Sequence, residues 1–219
     1  MMKYFNLSSL IVVIFLTTTV FGQESESNNE IKKFYVKPYA GFIGIQDMEI
    51  QYLENGQSTD ISIESGFGFT SGISFGYHFT KNFSAELGWE YKRNDITVKY
   101  DNDKSTGDYA SNFIYLNGFY NFNSKGKLKP YVGLGVSVIE EIDIDLTSSE
   151  EESFSDSGNV GFQGLAGLDF DFSKRWALNW EAKYVVFSDF DMESEINDNT
   201  LSNLEYKPFI FNIGIKYRF

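Results

Sequence analysis

The chain has 219 residues and a formal net charge of -13, which argues against a nucleic-acid partner, because a polyanion is held by surplus Lys and Arg. It contains no Cys, which leaves neither a disulfide framework nor a lipid-bearing cysteine after an export signal. Aromatics make up 18% of it, with 14 Tyr and 22 Phe beside 19 Gly and only 3 Pro, a balance that favours strands and tight turns over helices.

Residues 1–22 read as a cleaved secretory signal. Lys3 supplies the positive start, residues 10–16 the apolar stretch, and Val20, Phe21 and Gly22 the small or neutral residues before Gln23. A membrane anchor is the competing reading, but the apolar run breaks at Thr17, short of the roughly 20 residues a spanning helix needs. A short polar segment, 23–33, is expected in the periplasm, followed by one domain over 34–219. Nothing after residue 22 is long and apolar enough for a helical span, which does not exclude strands that expose only alternate residues to lipid.

Period-two alternation then dominates. A first strand is expected at 34–45. In the second, Phe67, Phe69, Ile73, Phe75, Tyr77 and Phe79 alternate with Gly68, Thr70, Gly72, Ser74, Gly76 and His78, so one face is apolar and the other small and polar. In the third, Phe83, Ala85, Leu87, Trp89 and Tyr91 alternate with Ser84, Glu86, Gly88, Glu90 and Lys92. Segments 109–122 and 128–142 fit less cleanly. Strands at 160–172 and 176–184 place Asp169 and Asp171, then Glu181 and Lys183, on their polar faces, and the last, at 205–219, places Lys216 and Arg218 there. The fold class is therefore all-β, an eight-stranded antiparallel up-and-down transmembrane β-barrel.

The connections alternate in length. Short turns are predicted at 80–82, 123–127 and 173–174, and long loops at 46–66, 94–108, 143–157 and 189–204. A barrel with both termini in the periplasm requires that order. A soluble β-sandwich is the rival reading. It does not explain the sorted turns, the aromatics gathered near strand ends, the Gly and opposed charges on the polar face, or a last strand that stops on Phe219.

Phe34-Tyr-Val-Lys-Pro-Tyr-Ala-Gly-Phe42, Gly76-Tyr-His-Phe-Thr-Lys-Asn-Phe-Ser-Ala-Glu-Leu-Gly88 and Lys129-Pro-Tyr-Val-Gly-Leu-Gly135 together resemble the outer-membrane β-barrel domain family, whose relatives include OmpX and the OmpA transmembrane domain. The ending Ile213-Gly-Ile-Lys-Tyr-Arg-Phe219 resembles the terminal signal read by the barrel-assembly machinery, with Tyr217 and Phe219 as its carriers. The resemblance covers nearly all of the chain after the signal. It implies an integral protein of a Gram-negative outer membrane, surrounded by outer-membrane lipid. Nothing follows the last strand that would imply peptidoglycan binding.

Inside such a barrel lie Glu86, Glu90, Lys92, Asp169, Asp171, Glu181, Lys183, Lys216 and Arg218. Eight strands leave a bore just wide enough for side chains to fill, so these charges are expected to pair as a plug; a gated ion path by partner exchange is the alternative. The predicted loops are acidic: Glu140, Glu141, Asp143, Asp145, Glu150, Glu151, Glu152 and Asp156 in the third, Asp189, Asp191, Glu193, Glu195 and Asp198 in the fourth. Solvation explains them, and divalent-cation binding is the sharper reading, although the spacing of a dedicated calcium loop is missing. The first and third loops keep alternating (Met48, Ile50, Tyr52, Ile61, Ile63; Ile142, Ile144, Leu146), which predicts ribbons beyond the membrane whose edges could pair with an extracellular protein.

The single His, His78, lies two residues from Thr80, but nothing marks a triad, and no phosphate loop or metal-ligand motif occurs. The functional expectation is a non-enzymatic, monomeric structural or adhesion barrel without catalytic residues, metal or cofactor. The alternative is a narrow porin-like or OmpW-like channel for ions or small hydrophobic solutes.

Overall fold

The computed structural model describes residues 32–219 apart from 47, 55–56, 101–102, 123–124, 148–151 and 196–198. The predicted signal segment and most of segment 23–33 lie outside the described residues. The described chain is all-β: β1 (Phe34–Gly44), β2 (Met48–Glu54), β3 (Gln57–His78), β4 (Phe83–Tyr100), β5 (Asp103–Asn121), β6 (Leu128–Thr147), β7 (Glu152–Asp156), β8 (Val160–Asp171), β9 (Trp176–Ser194), β10 (Thr200–Tyr206) and β11 (Phe209–Arg218). Every pairing is antiparallel, and β1 is bonded to β3 on one side and β11 on the other. The order β1–β3–β4–β5–β6–β8–β9–β11 therefore returns to its start.

Eleven strands are described where the sequence predicts eight: β2 and β7 lie in segments predicted as long loops, and the predicted last strand, 205–219, is divided between β10 and β11. β1 ends at Gly44 and β2 begins at Met48, residues 157–159 divide β7 from β8, and residues 207–208 divide β10 from β11. At the second break Gly158 takes φ of 89°, a left-handed conformation that glycine adopts without steric cost. At the third, Pro208 has no N–H to give the ladder, and its carbonyl accepts from Val185 N–H at 3.1 Å.

The predicted short turns lie between β3 and β4, β5 and β6, and β8 and β9. The predicted long loops are mostly strand, since β4 runs on to Tyr100 and β6 to Thr147. Strands stand in the segments where ribbons are expected, but their edges are occupied. Gln51, Tyr52 and Leu53 of β2 pair with Ser202, Leu201 and Thr200 of β10, and Phe154 and Ser155 of β7 pair with Ser194 and Glu193 of β9. Each strand edge left in water is a liability, and the hairpins answer it by bonding to one another.

The five strands β3, β4, β5, β6 and β9 have 22, 18, 19, 20 and 19 residues, about twice the 9–11 that cross a bilayer. Their faces change character midway. In the half next to the short turns the outward side chains are apolar, Phe67, Leu134 and Phe162 being 70–77% exposed, while Lys37, Glu86 and Glu90 are buried inside. In the other half Ile63, Ile96, Ile142 and Ile144 are buried, and Arg93, Asp95, Asp145 and Glu193 face out.

Two local devices make the exchange. In β3 and β6 the apolar residues keep one parity and a bulge turns the strand over. The register shifts between Ser65 and Gly68 in β3, and in β6 the partners of Phe113 and Asn112 are Ile139 and Glu141, leaving Glu140 as the extra residue. Val132, Val136 and Val138 thus point out while Ile142 and Ile144 point in. In β4 the ladder is unbroken from Asn94 back to His78's partner Ser84, and the sequence itself changes parity, from Leu87 and Trp89 outside to Ile96 and Val98 inside.

A one-residue change of register sends every side chain to the other face. Inserting one residue between Glu141 and Ile142 should therefore turn Ile142 and Ile144 to water, at a cost of about 1.5–3 kcal/mol for each. The expected result is a lower unfolding midpoint in detergent and early proteolysis within 140–156, with the short-turn half still protected.

Candidate functional site

The interior of the short-turn half is a set of matched ions. The cations Lys37, Lys92, Lys183, Lys216 and Arg218 face the carboxylates Glu86, Glu90, Asp169, Asp171 and Glu181. Lys37 Nζ lies 2.9 Å from Glu86 and 3.1 Å from Glu181. Lys216 lies 2.6 Å from Asp169, and Arg218 reaches Asp171 at 2.7 Å and Asp169 at 3.4 Å. Farther from the short turns, Glu90 is shared by Lys92 at 3.2 Å and by Lys183. Asp171 and Arg218, at the mouth, are half-buried; the other predicted interior charges are buried.

Tyrosines complete the network. Tyr35 donates to Glu86 at 2.8 Å, Tyr131 to Glu181 at 2.8 Å and Tyr39 to Glu90 at 3.0 Å. The Tyr39 and Tyr115 hydroxyls lie 2.9 Å apart, and Asn179 donates to Asp169 at 2.7 Å. The inward glycines make room for these rings. A Cβ on Gly76 would stand 2.0 Å from the Tyr35 ring, and one on Gly88 2.3 Å from Tyr115. Gly76→Ala should push Tyr35 off Glu86 and cost about 1–3 kcal/mol.

Lys37 and the four tyrosines were missed in the sequence. In β1 both parities carry aromatics, Phe34 and Phe42 on one and Tyr35 and Tyr39 on the other, which blurs the alternation. The usable signal was the kind of aromatic: beside the ions the inward rings are mostly phenols with a carboxylate to meet, while Phe34, Phe42, Phe75 and Phe83 face out.

Above the ions lies an apolar layer that sequence reasoning read only as ribbons. Ile43, Ile50, Ile63, Ile139, Ile144, Phe154, Phe187 and Met192 are each at most 2% exposed and belong to one contiguous cluster. Its floor meets the ionic layer at Lys92, whose ammonium stands 3.7 Å from the centre of the Phe113 ring, a cation–π contact. Among the described residues, the ladder joining the first and last parts of the chain stops at Gly44–Phe209 and resumes at Gln51–Ser202, at the level where the layer begins.

The remaining predicted residues fall as follows. Tyr217 packs on Trp176 with ring centres 4.5 Å apart and on Phe219 at 5.1 Å, and Phe219 is exposed. His78 lies against the ring of Tyr35, 4.9 Å away. Thr80 Oγ1 accepts from the Asn82 and Phe83 N–H groups and closes the turn. Glu150, Glu151 and Asp198 lie outside the described residues. Among the described residues no group of three or more His, Cys, Asp or Glu is arranged to hold a metal ion.

Asp143 on β6 is half-buried beside other acids. Burial, and then Glu141, Asp145 and Glu195, push its carboxyl up to about 6. A raised folded-state value favours the protonated form in the fold. Its stabilising contribution is complete below the ordinary value of about 4 and is lost as pH rises through about 6. Acidification from pH 7 to 4 should strengthen the β6–β7 hairpin, and Asp143→Asn should raise the midpoint at pH 7 and flatten that dependence.

Removing a buried carboxylate strands its partners. Glu90→Leu leaves both Lys92 and Lys183 without the carboxylate each is paired with and should cost about 3–5 kcal/mol. Glu181→Leu should cost less, because Lys37 keeps Glu86. Unfolding midpoints in detergent compare the two.

This architecture can be set beside known proteins. The chain is 27% identical over 191 residues to a protein of Haemophilus influenzae, covering 81% of this chain and 89% of that one. It is 31% identical over 115 residues to the outer membrane protein AlkL of Ectopseudomonas oleovorans, covering 51% and 47%. The crystal structure of the outer membrane protein OprG from Pseudomonas aeruginosa superposes with a TM-score of 0.65 at 16% identity, over 87% of this chain and all of that one, a likeness of fold. Residues 12–219 match the outer membrane protein beta-barrel domain, and the chain belongs to that family.

Proposed function

We propose that this chain is an eight-stranded up-and-down transmembrane barrel of a Gram-negative outer membrane, exported by a cleaved signal over residues 1–22, with a structural role at the cell surface and no enzymatic activity. The observation that carries the reading is the double exchange of faces. A strand with its apolar side out and its ions in suits hydrocarbon; the same strand with isoleucine in and carboxylates out suits water. The half next to the short turns lies in the bilayer, with Phe79, Phe83 and Phe172 at its periplasmic rim and Phe67 and Phe42 at the outer one. The other half stands in the extracellular water, closed by its own core and rimmed by acids that keep it solvated.

Partners follow from this placement. Lipid surrounds the belt, and the barrel-assembly machinery reads the last strand through Tyr217 and Phe219. One copy suffices, because the ring leaves no long edge to fill. Acids on the outer half, Glu141, Asp145 and Glu193 among them, are the surface open to an extracellular protein or to divalent cations.

The lumen is closed to ions twice, by paired charges and then by an apolar layer that water has no reason to enter. The refolded chain in a planar bilayer should stay silent across voltage and salt. Reproducible discrete steps would contradict the closed lumen and make the ion network a pore.

A second reading, passage of small hydrophobic solutes, is favoured by one observation: the ladder gap between Gly44–Phe209 and Gln51–Ser202 opens at the level of the apolar layer. A disulfide across that gap, Ile45→Cys with Lys207→Cys, would abolish such passage and leave a purely structural role untouched. Uptake of an apolar solute into proteoliposomes, before and after reduction, separates the two.

A further inference from the structure

Between the ionic and apolar layers sits a group of polar atoms that the fold does not satisfy. Thr70 Oγ1, Asn94 Oδ1 and the Tyr109 hydroxyl are buried without a hydrogen-bond partner among the described residues. The Ser111 and Tyr206 hydroxyls have at most each other. The sheet register gathers them. Thr70 of β3 and Ser111 of β5 are the two direct neighbours of Lys92 on β4, and Tyr109 is the neighbour of Asn94, one inward position farther out. The Tyr206 ring lies 5.7 Å from the Lys92 ammonium and 5.2 Å from the Tyr109 ring.

The charge at this level is also unbalanced. Among the described residues Glu90 is the one carboxylate paired with Lys92 and Lys183, so two ammonium groups share a single negative charge. The compensating excess of acid, four carboxylates to three cations, lies deeper, around Lys37 and Lys216. A buried unpaired hydroxyl costs about 1–3 kcal/mol, and such groups in a native structure call for an explanation. Here the Thr70 and Ser111 hydroxyls flank, and the Tyr206 and Tyr109 side chains adjoin, an ammonium with charge to spare. Most of the interior between them and the outer end is apolar, with Ile63, Ile96, Ile144, Phe154 and Met192, and Ser105 and Asn199 add buried polar groups there.

We propose that this is a binding site for an anionic amphiphile, a long-chain carboxylate whose head lies at Lys92 and whose tail replaces contacts within the apolar layer. A carboxylate offers about four lone-pair positions to donors, which the Lys92 ammonium and hydroxyls from Thr70, Ser111, Tyr109 and Tyr206 can fill. The charge excess selects an anion over an alcohol, and the apolar layer selects a chain over a small acid. The site rests on the interior placement of these side chains and on no passage through the barrel.

The test uses the refolded full-length mature chain in nanodiscs of zwitterionic lipid, with carboxyl-13C laurate as probe and its carboxyl resonance as readout. The expected result is a distinct, saturable resonance at one laurate per chain. Acetate should not displace it, and dodecanol should displace it at least tenfold less well than unlabelled laurate. Lys92→Met should weaken binding at least tenfold. Because that variant also disturbs Glu90, Ser111→Ala and Thr70→Val, which leave every ion pair in place, serve as the second test and should each weaken it severalfold. Three results would overturn the proposal: laurate that only partitions into the bilayer without saturating, binding unchanged in both hydroxyl variants, or acetate competing as well as laurate. The first two would leave the hydroxyls to ordered water.

Discussion

Backbone closure governs this molecule. A peptide N–H or C=O in hydrocarbon has no water to turn to, so a spanning sheet must bond its last strand to its first. Here β1 meets that requirement by pairing with both β3 and β11. Once the ring is closed, period-two alternation leaves each residue either outside or inside, and the medium on each side decides which side chain is tolerated. On the proposed placement the bilayer half carries Phe, Leu and Val outside and sends charge inward, where each ion needs a partner. The five cations and five carboxylates, with tyrosines filling their remaining hydrogen-bond positions, are that requirement met.

On the same proposed placement the ring continues into water and the rule reverses. A water-facing barrel has the needs of any soluble sheet, an apolar inside and a polar outside, so the outer half carries an isoleucine-rich core and an acidic surface. The join between the two solutions is where the sequence departs from regularity: the bulges at Ser65–Gly68 and Glu140, the parity change after Tyr91 in β4, and the breaks near Ile45 and Pro208. These are the places where one strand is matched to two solvents. The unsatisfied hydroxyls around Lys92 lie at the same join.

Much of this was legible in the alternation. Residues 67–79 and 83–91 carry a clean apolar face, and their polar positions Glu86, Glu90 and Lys92 do point inward. The alternation of Met48, Ile50, Ile61 and Ile63 also foretold strands within the predicted first loop. The strand count was not legible, because breaks at Gly158 and Pro208 depend on which neighbour the ladder loses. Long loops were expected where hairpins stand, since an outward Arg93 or Asp95 ends an apolar pattern without ending a strand. The apolar layer was hidden by the bulges: in β6, Val136, Val138, Ile142 and Ile144 share one parity, and only the extra Glu140 reveals that they face opposite sides. Lys37 was hidden because β1 carries aromatics on both faces.

The central claim is that one strand changes its surroundings midway, and β4 shows it without a bulge. The chain has no cysteine of its own, so single spin labels can be placed at Leu87→Cys, Trp89→Cys, Asp95→Cys and Thr97→Cys, all on the outward face. Collision with oxygen, which concentrates in lipid, and with a water-soluble nickel chelate would be compared in reconstituted bilayers. The account predicts oxygen-dominated collisions at 87 and 89 and nickel-dominated collisions at 95 and 97. Equal accessibility at all four positions would contradict it.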